Sequence, residues 1–144
     1  MALKKHYTYE LIQATLKEVG LKSTSQRLLI LESFNNLSHP TAEEIYTQVN
    51  QTLPGISLGT VYKTLDTLFQ NRLITKLQTA SGCLRYDLNT CLHYHIFCTN
   101  TQEIIDFEDP ELQVILENYF ASKQLSNVKI QDIRLQIYAE KIHC

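Results

Sequence analysis

No apolar run in this sequence approaches the roughly 20 residues that span a bilayer, so a membrane-spanning helix is excluded. The first residues, Met1 to Tyr9, are polar and basic and lack the apolar core of an export signal, so a cytoplasmic location is expected. There is no internal repeat and no low-complexity linker. At 144 residues the chain makes one ordinary domain or two small ones. Cysteine is scarce and unpatterned. Cys83, Cys91, Cys98 and Cys144 form no CxxC pair, which argues for reduced thiols and against a disulfide framework. Net charge is only −2, too little for a polyanion binder on composition alone. Hydrophobic residues, at 44%, suffice for a core and exclude disorder.

The small net charge hides an asymmetry. Residues 1–88 hold nine Lys or Arg against seven Asp or Glu, whereas residues 89–144 hold four against eight. The first part can meet a polyanion, and the second would repel one.

Hydrophobic periodicity predicts helices over the first 72 residues. Residues 8–19 place Leu11, Ile12, Leu16 and Val19 on one face, and Gly20 closes the segment. Thr24 or Ser25 can cap a second helix carrying Leu28, Leu29, Leu31 and Phe34. Thr41-Ala42-Glu43-Glu44 has capping-box spacing before a third helix with Ile45 and Val49, which stops before Pro54-Gly55. Ser57 can cap a fourth, with Val61, Leu65 and Leu68 facing inward. The period then changes: Leu73–Leu77 and Leu84–Leu88 read as strands of a hairpin. Helices followed by a two-stranded hairpin describe a winged helix-turn-helix, with the fourth helix as recognition helix and the hairpin as wing.

Residues 89–92 read as a hinge. Beyond it come strand candidates His93–Cys98 and Glu103–Phe107, then a helix opened by Asp109-Pro110 and running to about Lys123, then a final strand, Val128–Tyr138. The expected class is α+β, with a winged-helix DNA-binding domain over 1–88 and a small α/β domain over 93–144. So short a second domain buries little surface alone, which favours dimerisation through it.

Two groups of residues carry chemistry. On the fourth helix, Ser57, Thr60, Tyr62 and Lys63 crowd the exposed first turns, where a recognition helix meets base edges and phosphates. Tyr62 suits a thymine methyl, Lys63 a guanine edge or a phosphate, and Arg27 of the second helix a phosphate. An ordinary amphipathic helix would show the same faces. The second group centres on His93-Tyr94-His95, whose imidazoles share one face of a strand by period 2. Asp106 lies on the facing strand candidate, Asp87 ends the wing, and His39 precedes Pro40 in a loop. Three imidazoles and two carboxylates suit five- or six-coordinate Fe(II) or Mn(II) better than a closed tetrahedral zinc site, which leans on thiolates. Taken singly, each of these residues fits a structural role equally well.

The runs His39 to Tyr46, Thr60 to Leu65, Arg85-Tyr86-Asp87, His93-Tyr94-His95 and Ile105-Asp106-Phe107, in this order and spacing, resemble the ferric uptake regulator family. The resemblance runs from Thr24-Ser25-Gln26-Arg27 to the C-terminal strand. It implies a homodimeric repressor of operator DNA, with His39, Asp87, His93, His95 and Asp106 as regulatory ligands. Asp87 and Asp106, where glutamates are usual in the iron-uptake branch, point to the peroxide-sensing branch. There, Fe(II) reacts with hydrogen peroxide and ligand histidines become 2-oxo-histidine; the matching positions are His39 and His93. Mn(II) would support DNA binding with less reactivity.

The chain departs from the family at its structural zinc, normally held by two CxxC pairs. The matching stretches read Cys98-Thr99-Asn100-Thr101 and Lys141-Ile142-His143-Cys144, each with one cysteine missing, so structural zinc is expected to be absent. Cys83 and Cys91 do not match that motif. The family's other frequent site is expected to be absent as well, since Leu92 and Tyr94 occupy its positions. Ser25 stands where proline is common. Packing through Leu112, Ile115, Leu116, Tyr119, Phe120 and the final strand must then stabilise the second domain. Two other readings remain: an iron- or manganese-responsive uptake repressor, and a small non-haem iron enzyme, since His/His/Asp is a facial-triad composition. The latter leaves the winged helix unexplained.

Overall fold

A computed structural model describes residues 6–79, 81–88 and 94–142. The chain divides into two compact units, Met1–Thr90 and Cys91–Cys144. The residues read as a hinge, 89–92, and the ligand candidate His93 lie outside the described residues, as do Cys91, His143 and Cys144. No helix among the described residues is long and apolar enough to cross a membrane.

The first unit runs α1 (Tyr9–Glu18), α2 (Ser25–Ser33), α3 (Ala42–Thr52), α4 (Leu58–Gln70), β1 (Ile74–Gln78) and β2 (Leu84–Leu88). Each helix begins where a hydroxyl can satisfy its first free N–H groups. Thr8, Thr24, Thr41 and Ser57 accept from Leu11, Arg27, Glu44 and Thr60 N–H respectively. At α3 the box is reciprocal, with the Glu44 carboxylate accepting from Thr41 N–H at 3.3 Å. Such boxes satisfy two orphan donors at once. Gly20 follows α1 at φ 78, a left-handed turn that glycine takes without Cβ strain.

Apolar stripes from all four helices meet in one core. Leu16, Ile30, Ile45, Val61, Leu65 and Leu68 are fully buried there, joined by Ile74 and Tyr86 from the hairpin. β1 and β2 pair antiparallel, with Thr75 opposite Asp87 and Lys76 opposite Tyr86. The helical faces match the 3.6-residue period at α4 and differ in detail elsewhere. Leu11 is exposed rather than core. On α2 the fully buried positions are Ile30, Leu31 and Ser33, with Leu28 and Leu29 half-buried.

The second unit contains β3 (Tyr94–Cys98), β4 (Ile104–Phe107), α5 (Pro110–Ala121) and β5 (Gln136–Ala139). The sheet order is β4-β3-β5, with β4 antiparallel and β5 parallel to the central β3. Asp109 caps α5, its Oδ1 accepting from Glu111 and Leu112 N–H, with Pro110 at the first helical position. The final strand is shorter than the apolar pattern suggests. Residues 128–135 are not strand, and β5 begins only at Gln136. Pairing with β3 runs only from Gln136, opposite His95, to Ala139, opposite Cys98.

The far end of this sheet is tied by polar contacts. Thr99 N–H donates to Ala139 O at 2.9 Å. The Asn100 side chain donates to Lys141 O and accepts from Lys141 N–H, both at 2.9 Å. Lys141 Nζ donates to Glu103 Oε2 at 2.6 Å. Asn100 thus acts as a two-point clamp between the β3–β4 turn and the segment after β5. Asn100→Ala is expected to destabilise the unit by about 1 kcal/mol, since each partly exposed bond contributes about 0.5–1.5 kcal/mol at most. Chemical denaturation followed by circular dichroism measures it, and a midpoint equal to wild type would show the clamp contributes nothing.

Candidate functional site

The first unit holds one His–Asp pair. His39 sits in the loop between α2 and α3 at φ 46, an uncommon left-handed conformation for a residue with a Cβ. It is buried, 7% exposed, as is the Pro40 that follows it. Three contacts from the wing strand and its own loop fix it. Arg85 Nη1 donates to His39 O at 2.9 Å, and Tyr86 N–H donates to Pro40 O at 2.9 Å. Ser38 Oγ lies 3.1 Å from His39 Nδ1. His39 Nε2 is left facing Asp87 Oδ2 at 3.6 Å. An ion on Nε2 would leave Nδ1–H to donate to Ser38, the arrangement that sets tautomer and ring orientation in metal-ligating histidines.

Strand alternation puts the carboxylate there. Along β2, Tyr86 points into the core while Arg85 and Asp87 share the opposite face. Burial pushes the Tyr86 phenol up to about 12, so it stays neutral beside the site. Asp87 Oδ1 accepts from Leu88 N–H at 2.9 Å, which orients Oδ2 toward the imidazole. Arg85 also lies 3.8 Å from Glu44, the carboxylate that closes the α3 capping box. In the sequence Arg85 stands out only as part of the Arg85-Tyr86-Asp87 motif. Its hold on the His39 carbonyl spans 46 residues and has no local sequence signal.

The second unit holds a like pair. His95 on β3 lies opposite Asp106 on β4 in the antiparallel register. His95 is 8% exposed, and its Nε2 is 3.4 Å from Asp106 Oδ1. Four described residues therefore carry metal-ligating donors, His39 and Asp87 in one unit and His95 and Asp106 in the other. All are imidazole or carboxylate, a donor set suited to first-row divalent ions. Of the described cysteines, Cys83 is free and exposed, and Cys98 is free and buried.

The candidate DNA contacts cluster about the start of α4. Ser57 Oγ accepts from Thr60 N–H at 3.0 Å and shares a hydrogen with Thr60 Oγ1 at 2.8 Å, so both build the cap. Tyr62 and Lys63 are exposed one turn on. Arg27, half-buried on α2, donates from Nη1 to Lys22 O at 3.0 Å. The Tyr62 hydroxyl donates to Glu43 Oε1 at 2.7 Å, a contact not foreseen from sequence. That bond, helped by a backbone N–H, holds the Glu43 carboxyl below its usual range. The same bond, then partial desolvation, pushes the phenol above its usual range.

A helix-turn-helix with a wing is the architecture of many DNA-binding domains, and here it stands on a chain that also carries metal-ligating residues. Fold and donors together define a metal-binding transcriptional regulator with a His/Asp metal site. The sequence profile of the Ferric uptake regulator family matches residues 18–138, and the chain belongs to that family. It is 34% identical over 131 residues to the peroxide operon regulator of Bacillus subtilis (strain 168), covering 90% of this chain and 88% of that one. It is 31% identical over 132 residues to the peroxide-responsive repressor PerR of Staphylococcus aureus (strain Mu50), covering 91% and 87%. Among solved structures, the Campylobacter jejuni peroxide stress regulator superposes with TM-score 0.73 at 27% identity, covering 92% of this chain and 97% of that one. The Pseudomonas aeruginosa ferric uptake regulator with manganese superposes at 0.79 with 25% identity, covering 91% and 98%. These relatives are regulators, which sets aside the non-haem enzyme reading.

Proposed function

We propose that this chain is a homodimeric, metal-dependent repressor of operator DNA that senses hydrogen peroxide by oxidation of its ligand histidines. The observation that carries the reading is the donor chemistry: a His–Asp pair in each unit, with carboxylates rather than thiolates completing each pair. The peroxide regulators among its relatives support the choice of signal.

His39, Asp87, His93, His95 and Asp106 would hold one Fe(II) or Mn(II). The residues fit such an ion, being imidazoles and carboxylates; among the described ones His39 and His95 are buried, Asp87 is half-buried and Asp106 is exposed. When bound, iron(II) supplies the one-electron reduction of peroxide at a ligating ring, chemistry that manganese(II) supplies much less readily. The chain's own part is positional. Ser38, Arg85 and Tyr86 hold His39 with Nε2 presented and its ring fixed. Ligands drawn from both domains, 1–88 and 93–144, favour one arrangement of the two, so metal and operator affinity are linked. Oxidising His39 or His93 removes a ligand lone pair and with it that preference.

The winged helix would meet DNA through Arg27, Ser57, Thr60, Tyr62 and Lys63. The second domain would bind its twin through the apolar surface it leaves open, where Val114, Ile115 and Tyr119 are each more than half exposed. With Thr101 and Lys141 at two of the four cysteine positions, no structural zinc is held, and the Asn100–Lys141 clamp serves that end of the sheet. The protein would act in the cytoplasm.

The test is operator binding with Fe(II) or Mn(II), before and after peroxide. Peroxide should abolish binding of the iron form and spare the manganese form. Mass spectrometry should then place one added oxygen on His39 or His93. Oxidation confined to cysteines would overturn histidine-based sensing, and induction by iron starvation but not peroxide would make the chain an uptake regulator instead.

A further inference from the structure

The Tyr62–Glu43 contact places a carboxylate where a DNA-binding surface should avoid one. Glu43 is exposed on the first turn of α3, next to the start of the recognition helix α4. A negative charge there repels phosphates and weakens binding unless it does something else. Its setting shows what. The carboxylate sits at a helix N-terminus, where the partial positive charge of the free N–H groups favours it. It accepts the only proton of the Tyr62 hydroxyl at 2.7 Å, the length of a charge-assisted bond. The contact joins two helices whose backbones are fixed by the same core. Tyr62 Oη therefore points at protein, and the ring remains half-open to solvent, with the residue 39% exposed.

We propose that Glu43 is a positioning residue for the reading tyrosine: by capturing the Tyr62 hydroxyl it presents the ring, rather than the hydroxyl, to the major groove. The proposal rests on the operator-binding reading above. A phenol whose proton is taken cannot donate to a phosphate or to a base acceptor. What it presents is chiefly the apolar ring edge, which in the major groove is suited to the thymine methyl. Fixing the ring before binding also lowers the ordering cost of the complex. Glu43 thus trades some general attraction to DNA for selectivity at thymine.

The experiment uses the full chain with Mn(II) and three duplexes: one selected by the protein from a random library, the same duplex with its thymines replaced by uracil, and an unselected duplex. Fluorescence anisotropy at fixed salt gives the affinities. Wild type should lose about 4-fold on uracil replacement for each contacted methyl. Glu43→Ala should lose most of that discrimination and bind the selected duplex about 5-fold more weakly, while binding the unselected duplex at least as well as wild type. Retained binding to the unselected duplex also shows that the variant is folded. Glu43→Gln keeps an acceptor and should keep the discrimination.

If both variants bind every duplex more tightly with thymine discrimination unchanged, Glu43 is only a surface charge and the proposal fails. If Tyr62→Ala leaves selected-duplex affinity unchanged, the tyrosine does not read DNA, and the proposal fails while the regulator reading stands. If metal-loaded wild type selects no duplex, the regulator reading itself is overturned.

Discussion

His39→Ala is expected to raise the metal concentration needed for half-maximal operator binding by about 100-fold or more. Partners that merely orient a ligand typically contribute 10–100-fold to metal affinity, and His39 is proposed as a ligand itself. Its Nε2 faces Asp87 at 3.6 Å while Ser38, Arg85 and Tyr86 hold the ring and its loop. Those contacts fix the loop and the direction in which Nε2 points. The fold should survive, because the ring is not part of the apolar core of the first unit. Asp106→Ala should act in the same direction through the other unit. Gel-shift titration with Mn(II) checks both, and midpoints within 2- or 3-fold of wild type would remove these residues from the ligand set. Arg85→Lys separates position from charge. It keeps a cation near Glu44 but loses the planar fork, and should weaken metal binding by less than His39→Ala.

What could be read from sequence here follows from how local the cause is. The face of α4 was legible because Val61, Leu65 and Leu68 repeat at helical period behind a Ser57 cap. The α3 capping box was legible because its two partners lie three residues apart. The pairing of His95 with Asp106 was half legible: alternation gave the face of the imidazole, but only the strand register sets it opposite that carboxylate. The hold of Arg85 on His39 and of Glu43 on Tyr62 bridges 46 and 19 residues, and nothing in the local pattern announces either. The extent of β5 was misjudged for a related reason. Val128 and Ile130 look strand-forming by residue type, yet pairing with β3, which no local pattern shows, begins only at Gln136. On α5, apolar residues lie on several faces and none is buried within the chain, so periodicity could not say which face was inner.

Leu65→Ala is expected to destabilise the first unit by about 2–5 kcal/mol, the range for deleting a buried leucine side chain when the cavity collapses only partly. Leu65 is 0% exposed, on a helix whose neighbours Val61 and Leu68 are equally buried, so little can move in to fill the space. Typical domains are stable by about 5–15 kcal/mol in total, so the loss is a large share. In urea the midpoint should fall with the slope unchanged, since the surface exposed on unfolding barely alters. The informative control lies two residues earlier on the same helix. Lys63 is exposed and belongs to no core, so Lys63→Ala should change stability by no more than about 0.5 kcal/mol. It should still weaken operator binding and flatten its salt dependence by about one ion. The two substitutions dissociate the roles of one helix: its inner face holds the fold, and its outer face is the one proposed to meet the polyanion. If Leu65→Ala cost less than about 1 kcal/mol, α4 would not be packed on this core. If Lys63→Ala changed stability but not DNA affinity, the assignment of the outer face would be wrong.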